Sequence, residues 1–422
     1  MNAYELKNAN RRESGTLVRP SRSDEQRNLI TKRESVNSPE LDIFIEKQVS
    51  MKIKFRTLFL TCILMQFSID DAAVAQQTTI KPIRIAVAGI THGHVGWILG
   101  RKNKGDIELV GVYERKQDVV DKYTKQYKLS SELFFSDLAK MLDAVKPEAV
   151  VAFGSIYDHL QVVEACAPRH IHVMVEKPLA VSKEHADKMQ RLASQYGIYL
   201  LTNYETSWYP TTVKSFQLMN DSNAIGKLKK AVFHHGHEGP KEIGVQKEFF
   251  EWLTDPIQNG GGALIDFGCY GANLMTYLTR GEQPISVTAV TKQFKPSIYP
   301  RVDDEATIVV EYPSAQAIIQ ASWNWPFGRK DMELYGDSGY ILAKNNKDYA
   351  IRLHGQAEER KVVTEQDVPV YTDPFAYFSD VIRGRIKIDQ YGVYSLENNL
   401  LVVKILDAAR QSAKEGKTIY FK

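Results

Sequence analysis

The chain has 422 residues, 43% hydrophobic and 25% charged, which suits two globular domains behind a leader and excludes a disordered or fibrous protein. The net charge of +3 is dispersed, so neither nucleic acid nor a membrane surface is indicated as a partner. Three cysteines make no disulfide framework.

Residues 1–50 are polar and highly charged, without periodicity, and cannot bury a core. They are expected to be a disordered extension or a mis-annotated one, with translation beginning at Met51. From Met51 the chain reads as an export signal over residues 51–75. Lys52, Lys54 and Arg56 form a basic flank, and Thr57 to Ile69 is an apolar core too short to span a bilayer comfortably. Ala73-Val74-Ala75 then fits cleavage before Gln76. The flank carries no arginine pair and Cys62 has no lipoprotein context, so the signal reads as Sec-type. The expected location is periplasmic or secreted, with no stable membrane insertion after cleavage.

Ile83 to Ala88 alternates and then turns apolar, as a buried parallel strand does. Gly89 to Gly96 reads as a turn into a helix. Further strands are expected at Ile107 to Tyr113, Ala149 to Phe153 and Ile171 to Val175, with a serine-capped helix from Ser182 to Tyr196. Strands alternating with helices predict a Rossmann-type doubly wound parallel sheet over residues 81–205. Over residues 206–422 the texture changes. Lys227 to His237, Ile285 to Phe294, Ala306 to Tyr312, Ala317 to Trp323 and Met332 to Tyr335 read as strands without long helices between them. An α+β domain with an open, mainly antiparallel sheet follows, closed by a long helix from Leu396 to Ala413.

The turn Gly89-Ile-Thr-His-Gly93-His-Val-Gly96 departs from Gly-x-Gly-x-x-Gly, because Thr91 replaces the second glycine and Gly93 is displaced. Gly89, Thr91, His92 and Gly93 are still candidates for a pyrophosphate cradle at a helix N-terminus. Such glycine turns also occur without any nucleotide. Glu114, at the end of the second strand, can accept hydrogen bonds from a ribose diol, whereas Arg115 beside it suits a 2′-phosphate. NAD is favoured over NADP. A plain strand-end glutamate is the bland alternative.

Glu176-Lys177-Pro178 places a lysine at a strand's carboxyl end, where doubly wound sheets bind ligands. Gly260-Gly261-Gly262 opens a helical pattern that sets Asp266 and Tyr270 four residues apart on one face. A lysine, a carboxylate and a phenol are the parts needed to take a proton from a hydroxyl while hydride leaves its carbon. A nearby Lys177 ammonium is expected to lower the phenol's pKa, which is about 10 when free. Against this stand a solvated lysine, a capping aspartate and a core tyrosine. His235 and His237 share one strand face beside His234 and Glu238. They are read as polar lining of a substrate cleft and no metal is expected. Asn273 and Trp208 are further candidates for substrate contact, and Trp323 and Trp325 suit stacking on a sugar ring.

From about Lys81 onward, these motifs resemble the glucose–fructose oxidoreductase / inositol dehydrogenase / MocA family. So does the closing pattern from Ser395-Leu396-Glu397-Asn398 to Lys417-Thr418-Ile419. Tyr270, where many members carry histidine, resembles the branch with glucose–fructose oxidoreductase, sugar dehydrogenases and dihydrodiol dehydrogenases. The resemblance implies hydride transfer at a carbohydrate or polyol by a tightly bound NAD, with NADP as the other choice. Tyr270 would exchange the proton and Lys177 polarise the same oxygen. Glu176 would contact the nicotinamide ribose or position the lysine, and His159 would lie beside the cofactor. It also implies a homo-dimer or tetramer. Two alternatives stay open: a glycosidase that oxidises its sugar transiently with no net redox change, and a sugar-binding protein without turnover.

Overall fold

A computed structural model describes residues 81–421, all in one compact unit. The readings of residues 1–50 as an extension, of 51–75 as an export signal and of cleavage before Gln76 lie outside the described residues. Among the described residues no helix is long and apolar enough to cross a membrane.

The first sheet is six-stranded and parallel, in the order β3-β2-β1-β4-β5-β6. Its strands are β1 (Ile83–Ile90), β2 (Ile107–Tyr113), β3 (Phe134–Phe135), β4 (Ala149–Phe153), β5 (His172–Glu176) and β6 (Leu200–Asn203). The order reverses between β1 and β4, so a crevice opens where their carboxyl ends diverge. Apolar residues on both sheet faces build separate cores, one around Val150, Val173 and Met189, the other around Ile85, Val151 and Phe378. The expected strand at Ile171 to Val175 begins one residue later and includes Glu176, so Lys177 is the first residue past the strand.

The second sheet has nine strands in the order β14-β13-β12-β11-β7-β10-β9-β8-β15. They are β7 (Leu228–Gly236), β8 (Ser286–Lys292), β9 (Glu305–Glu311), β10 (Gln316–Ser322), β11 (Arg329–Gly336), β12 (Gly339–Ala343), β13 (Asp348–Leu353), β14 (Glu359–Val362) and β15 (Ile419–Tyr420). Pairing is antiparallel except between β7 and β10. The helices Gly268–Leu278 and Leu396–Glu415 cover one face, burying Met275, Ile319 and Ile405 in a common core. Division of the fold at residue 205 is not clean, because Phe375, Phe378 and Val381 pack into the core of the first sheet.

Two local expectations are corrected. The turn after β1 does not lead into a full helix: it gives one 3₁₀ turn, Gly93–Val95, and the four-residue helix Gly96–Leu99. So short a helix adds little dipole to the crevice. The run from Ala263 is likewise not one helix. Ala263–Asp266 stops at Phe267, whose ψ of −28° at φ −108° breaks the regular path, and a second helix runs Gly268–Leu278. Asp266 and Tyr270 therefore do not share one continuous helix face.

Candidate active site

The crevice between β1 and β4 is built by glycine. Gly89 has φ +75°, and a Cβ there would come within 2.8 Å of the Gly154 backbone. Only a residue without a side chain lets the two strand ends approach this closely. Beyond them lies a cavity of about 420 Å³, lined by Gly89, Thr91, Glu114, Arg115 and Gly154 on one side and by Glu248, Glu251 and Trp252 on the other.

Glu114 is buried, and its carboxylate organises the turn. One oxygen accepts the Ile90 N–H at 3.2 Å; the other accepts Arg115 and Lys116 N–H at 2.9 and 3.0 Å. A carboxylate oxygen can accept more than one donor, so Glu114 still has capacity for a ribose diol in the cavity. Arg115 is exposed and 4.0 Å from Asp158.

Thr91, in place of the second glycine, accepts the Trp252 indole N–H at 3.1 Å. His92 is buried, caps the 3₁₀ turn by accepting His94 N–H at 3.0 Å, and packs 4.5 Å from the Phe249 ring. Burial holds its imidazole well below the usual histidine range. Gly93 lies under Gln246 and Phe249. The helix Lys247–Leu253 thus crosses the glycine turn, with Lys122–Glu248 and Lys116–Glu251 ion pairs at its edge.

A closed ring of side chains surrounds the end of β5. The buried Glu176 carboxylate accepts Asn203 at 2.7 Å, meets His94 at 3.2 Å and accepts the Lys177 N–H at 3.3 Å. Asn203 accepts the Trp208 indole N–H at 3.1 Å; Trp208 stands edge-on to Trp97 at 4.4 Å, and Trp97 stacks on His94 at 3.7 Å. Burial pushes the Glu176 carboxyl up, but His94, His92 and Asn203 outweigh it and hold it at about 2. Donor atoms of His92, His94 and Glu176 lie within 4.8 Å of one another. They are engaged with each other and with neighbouring N–H groups.

Lys177 is buried at the head of this ring, with the Lys177–Pro178 bond cis. Its ammonium donates to the Asp266 carboxylate and to the Asp266 carbonyl at 3.0 Å. Asp266 takes a third donor, the Trp323 indole, at 2.9 Å. Burial would lower the lysine, yet Asp266 holds it above its ordinary range; burial would raise Asp266, yet Lys177 holds it below. The pair is charged: Asp266 is held by the ammonium and the Trp323 indole, and these bonds engage two of the three ammonium protons.

Tyr270 is 1% exposed, its ring 5.3 Å from the Lys177 ammonium, parallel to His235 at 5.2 Å and edge-on to Tyr204 at 5.5 Å. Its hydroxyl forms no hydrogen bond with the described residues. The expectation that Lys177 lowers this phenol is reversed. Burial, then the electrostatic influence of Glu205, Cys269, Glu176 and Asp266, pushes it well above 10.

The remaining candidates separate. His235 is fully buried with neither ring nitrogen bonded among the described residues, and burial and Lys330 take it down to about 3. His237 accepts Gly239 N–H at 2.9 Å, packs edge-on against Phe267 and is lowered by burial to about 4. His159 is buried with Nδ1 3.1 Å from the Leu179 carbonyl, which fixes the proton on Nδ1; burial lowers it to about 4. Asn273 is corrected. Its amide donates to the Val393 carbonyl at 2.9 Å and to Asn398 at 3.0 Å, tying the helix Gly268–Leu278 to the C-terminal helix.

Sequence reading missed Lys330, Glu205, His94 and Asp303. Lys330 stands opposite His235 in the β7–β11 register and pairs with Glu205; its ammonium lies 5.2 Å from the Tyr270 ring. Asp303 accepts Gly262 and Leu264 N–H at 3.0 and 2.7 Å and so anchors the glycine turn before Asp266. Only the sheet register and the return of a distant loop reveal these contacts.

Fold and site together define an oxidoreductase with an NAD-binding Rossmann domain. The model for the oxidoreductase family, NAD-binding Rossmann fold, matches residues 83–204, and that for the GFO/IDH/MocA C-terminal domain matches residues 214–342. The chain belongs to the GFO/IDH/MocA family. It is 23% identical over 319 residues to the trans-1,2-dihydrobenzene-1,2-diol dehydrogenase of Xenopus tropicalis, covering 72% of this chain and 90% of that protein. It is 22% identical over 284 residues to the myo-inositol 2-dehydrogenase of Thermotoga maritima, covering 66% and 80%. Among solved structures it is similar in fold to an inositol dehydrogenase homolog from Azotobacter vinelandii complexed with NAD+, at TM-score 0.70 and 16% identity over 81% of this chain and 98% of that one. The aldose-aldose oxidoreductase from Caulobacter crescentus gives TM-score 0.66 at 20% identity over 81% and 100%.

Proposed function

We propose that this protein moves hydride between a nicotinamide cofactor and a hydroxyl or carbonyl carbon of a carbohydrate or polyol, with Lys177, Asp266 and Tyr270 as the reacting group. The observation that carries the reading is the buried Lys177–Asp266 ion pair set against the Tyr270 ring just past the carboxyl end of β5. The relatives named dehydrogenases of diols and inositol support the substrate class.

The cofactor, when bound, supplies the hydride acceptor or donor. The cavity suits it: Gly89 and Gly154 allow close backbone approach, and Glu114 offers carboxylate lone pairs where a ribose would lie and disfavours a 2′-phosphate. NAD is therefore the preferred dinucleotide. Lys177 polarises the substrate oxygen, while Asp266 and Trp323 keep the ammonium charged and aimed. Tyr270 retains its proton at neutral pH and donates it to a forming alkoxide; in oxidation its phenolate takes the hydroxyl proton. His235, neutral and with both ring nitrogens unengaged among the described residues, offers one acceptor and one donor toward substrate hydroxyls, whereas neutral His237, whose Nδ1 accepts the Gly239 N–H, donates from Nε2.

The mature chain is read as beginning at Gln76 and acting outside the cytoplasm, on the strength of the basic flank, apolar core and Ala73-Val74-Ala75. Incubation with a panel of aldoses, polyols and glycosides, with NAD and NADP, tests the assignment. Reduced dinucleotide or an oxidised or epimeric sugar is expected. Released aglycone without net reduction would move the reading to the glycosidase alternative, and no turnover of any of them would overturn it.

A further inference from the structure

We infer that Lys330, anchored by Glu205, is a second lysine acting on Tyr270, a positioning residue that sets the charge balance in which the phenol gives up or takes its proton. This rests on the reading of Tyr270 as the proton-exchanging group.

Two ammonium groups flank one aromatic ring at nearly equal range: Lys177 at 5.3 Å and Lys330 at 5.2 Å. They arrive from different sheets. Lys177 follows β5, and Lys330 sits in β11, opposite the His235 whose ring stacks parallel to Tyr270. Each lysine has its own carboxylate, Asp266 for Lys177 and Glu205 for Lys330. Glu205 is fixed further by the Tyr209 hydroxyl at 2.8 Å. The Lys177–Asp266 pair is buried; the Lys330–Glu205 pair is about one quarter exposed, so its charge can be altered with less disturbance to packing.

The groups facing Tyr270 from every packed element are few. Glu176 and Lys177 come from the end of β5, Asp266 from the preceding helix and Cys269 from its own. Tyr204 and Glu205 follow β6, His235 comes from β7 and Lys330 from β11. His235 is neutral, as are the Cys269 thiol, pushed up to about 12, and the Tyr204 phenol, also raised by burial. Two cations thus face three carboxylates, an excess of negative charge that favours the protonated phenol. Removing the Lys330 charge deepens that excess, and removing the Glu205 charge cancels it. The two substitutions must move Tyr270 in opposite directions, which loss of packing alone would not do.

The test uses the full mature enzyme and the pH dependence of kcat for sugar oxidation, with a tyrosinate absorbance titration referenced to Tyr270→Phe. Oxidation needs the phenolate, so kcat rises with pH up to the phenol's pKa. Lys330→Met should shift that limb to higher pH, lowering kcat roughly tenfold at a fixed pH on the limb, a shift of about one unit. Glu205→Gln should shift it to lower pH, and Lys330→Arg should hold it near the wild-type position. The tyrosinate titration should move with the limb. Unmoved limbs, or shifts of the same sign in both variants, would overturn the inference while Tyr270→Phe remains inactive. Normal turnover by Tyr270→Phe would instead overturn the underlying reading. If Lys330→Met does not fold, the sign given by Glu205→Gln decides.

Discussion

Lys177 and Tyr270 lie side by side but are held in different states by different neighbours. The lysine is kept charged by Asp266, and the phenol is kept protonated by burial and by three carboxylates. Lys177→Met should lower kcat about 10²–10⁴-fold and, because it leaves the buried Asp266 carboxylate unpaired, cost about 3–5 kcal/mol of stability, whereas Tyr270→Phe should lower kcat over the same range with little loss of stability or dinucleotide binding. Thermal melts and cofactor titration alongside kcat check this. Near-normal rates in either variant would contradict it, and collapse of both would mark these as packing residues. The pH sign follows from the raised phenol. Carbonyl reduction uses the protonated form, so it should be flat through neutral pH and fall only as pH climbs toward the phenol's pKa; oxidation should rise over that range. These residues were legible because a lysine at a strand end and an aspartate and tyrosine behind three glycines declare themselves in one dimension. Lys330, Glu205 and His94 do not, since nothing along the chain brings them to Tyr270 or Glu176 before the sheets pair.

At the scale of elements, the proposed reacting group depends on a turn rather than on a helix. Gly262 sits where a Cβ would lie 1.8 Å from the Asp303 carbonyl oxygen. Asp303 returns the contact through hydrogen bonds to Gly262, Ala263 and Leu264 N–H. Gly262→Ala should therefore destabilise the protein by roughly 3 kcal/mol or more, since neither backbone can move aside without breaking those bonds. Asp303→Ala removes two acceptors from buried N–H groups, a loss of about 1–3 kcal/mol each. It should also lower kcat more than it changes cofactor affinity, because it loosens Asp266 and leaves Glu114 untouched. Denaturant melts read with steady-state kinetics would settle both. Nine of the fifteen strands among the described residues were readable from alternation and apolar runs, mostly within a residue or two at each end, whereas β3, β6 and β12 to β15 were not read. The pause at Phe267 was not: Gly262 to Leu278 carries an unbroken helical pattern, and the break is imposed by packing. Asn273 was misplaced for a related reason, since the C-terminal helix that takes its amide lies more than a hundred residues away.

At the scale of the molecule, the helix Lys247–Leu253 crosses the dinucleotide turn. Trp252 donates to Thr91, Phe249 packs on His92, and Glu248, Glu251 and Trp252 form the far wall of the cavity. A dinucleotide held between that wall and the glycine turn would be retained more by the Trp252 and Phe249 contacts than by exposed ion pairs such as Lys116–Glu251. Thr91, which as a departure from the glycine pattern suggested weaker phosphate binding, is the residue that takes the crossing hydrogen bond. If the chain is exported, as proposed above, the consequence sharpens. A Sec-type passenger crosses the membrane unfolded and acquires its dinucleotide outside, where supply is scarce, so turnover there favours a cofactor retained and recycled between sugars. Protein from the periplasmic fraction, after dialysis, should carry about one nicotinamide dinucleotide per chain by mass spectrometry and turn over without added cofactor. Trp252→Phe keeps the ring but deletes the donor to Thr91, and should lose a measurable share of that dinucleotide. Wild-type protein that emerges empty and works only with added NAD would refute retention; a Trp252→Phe variant that retains as much as wild type would show that the crossing helix is not what holds it.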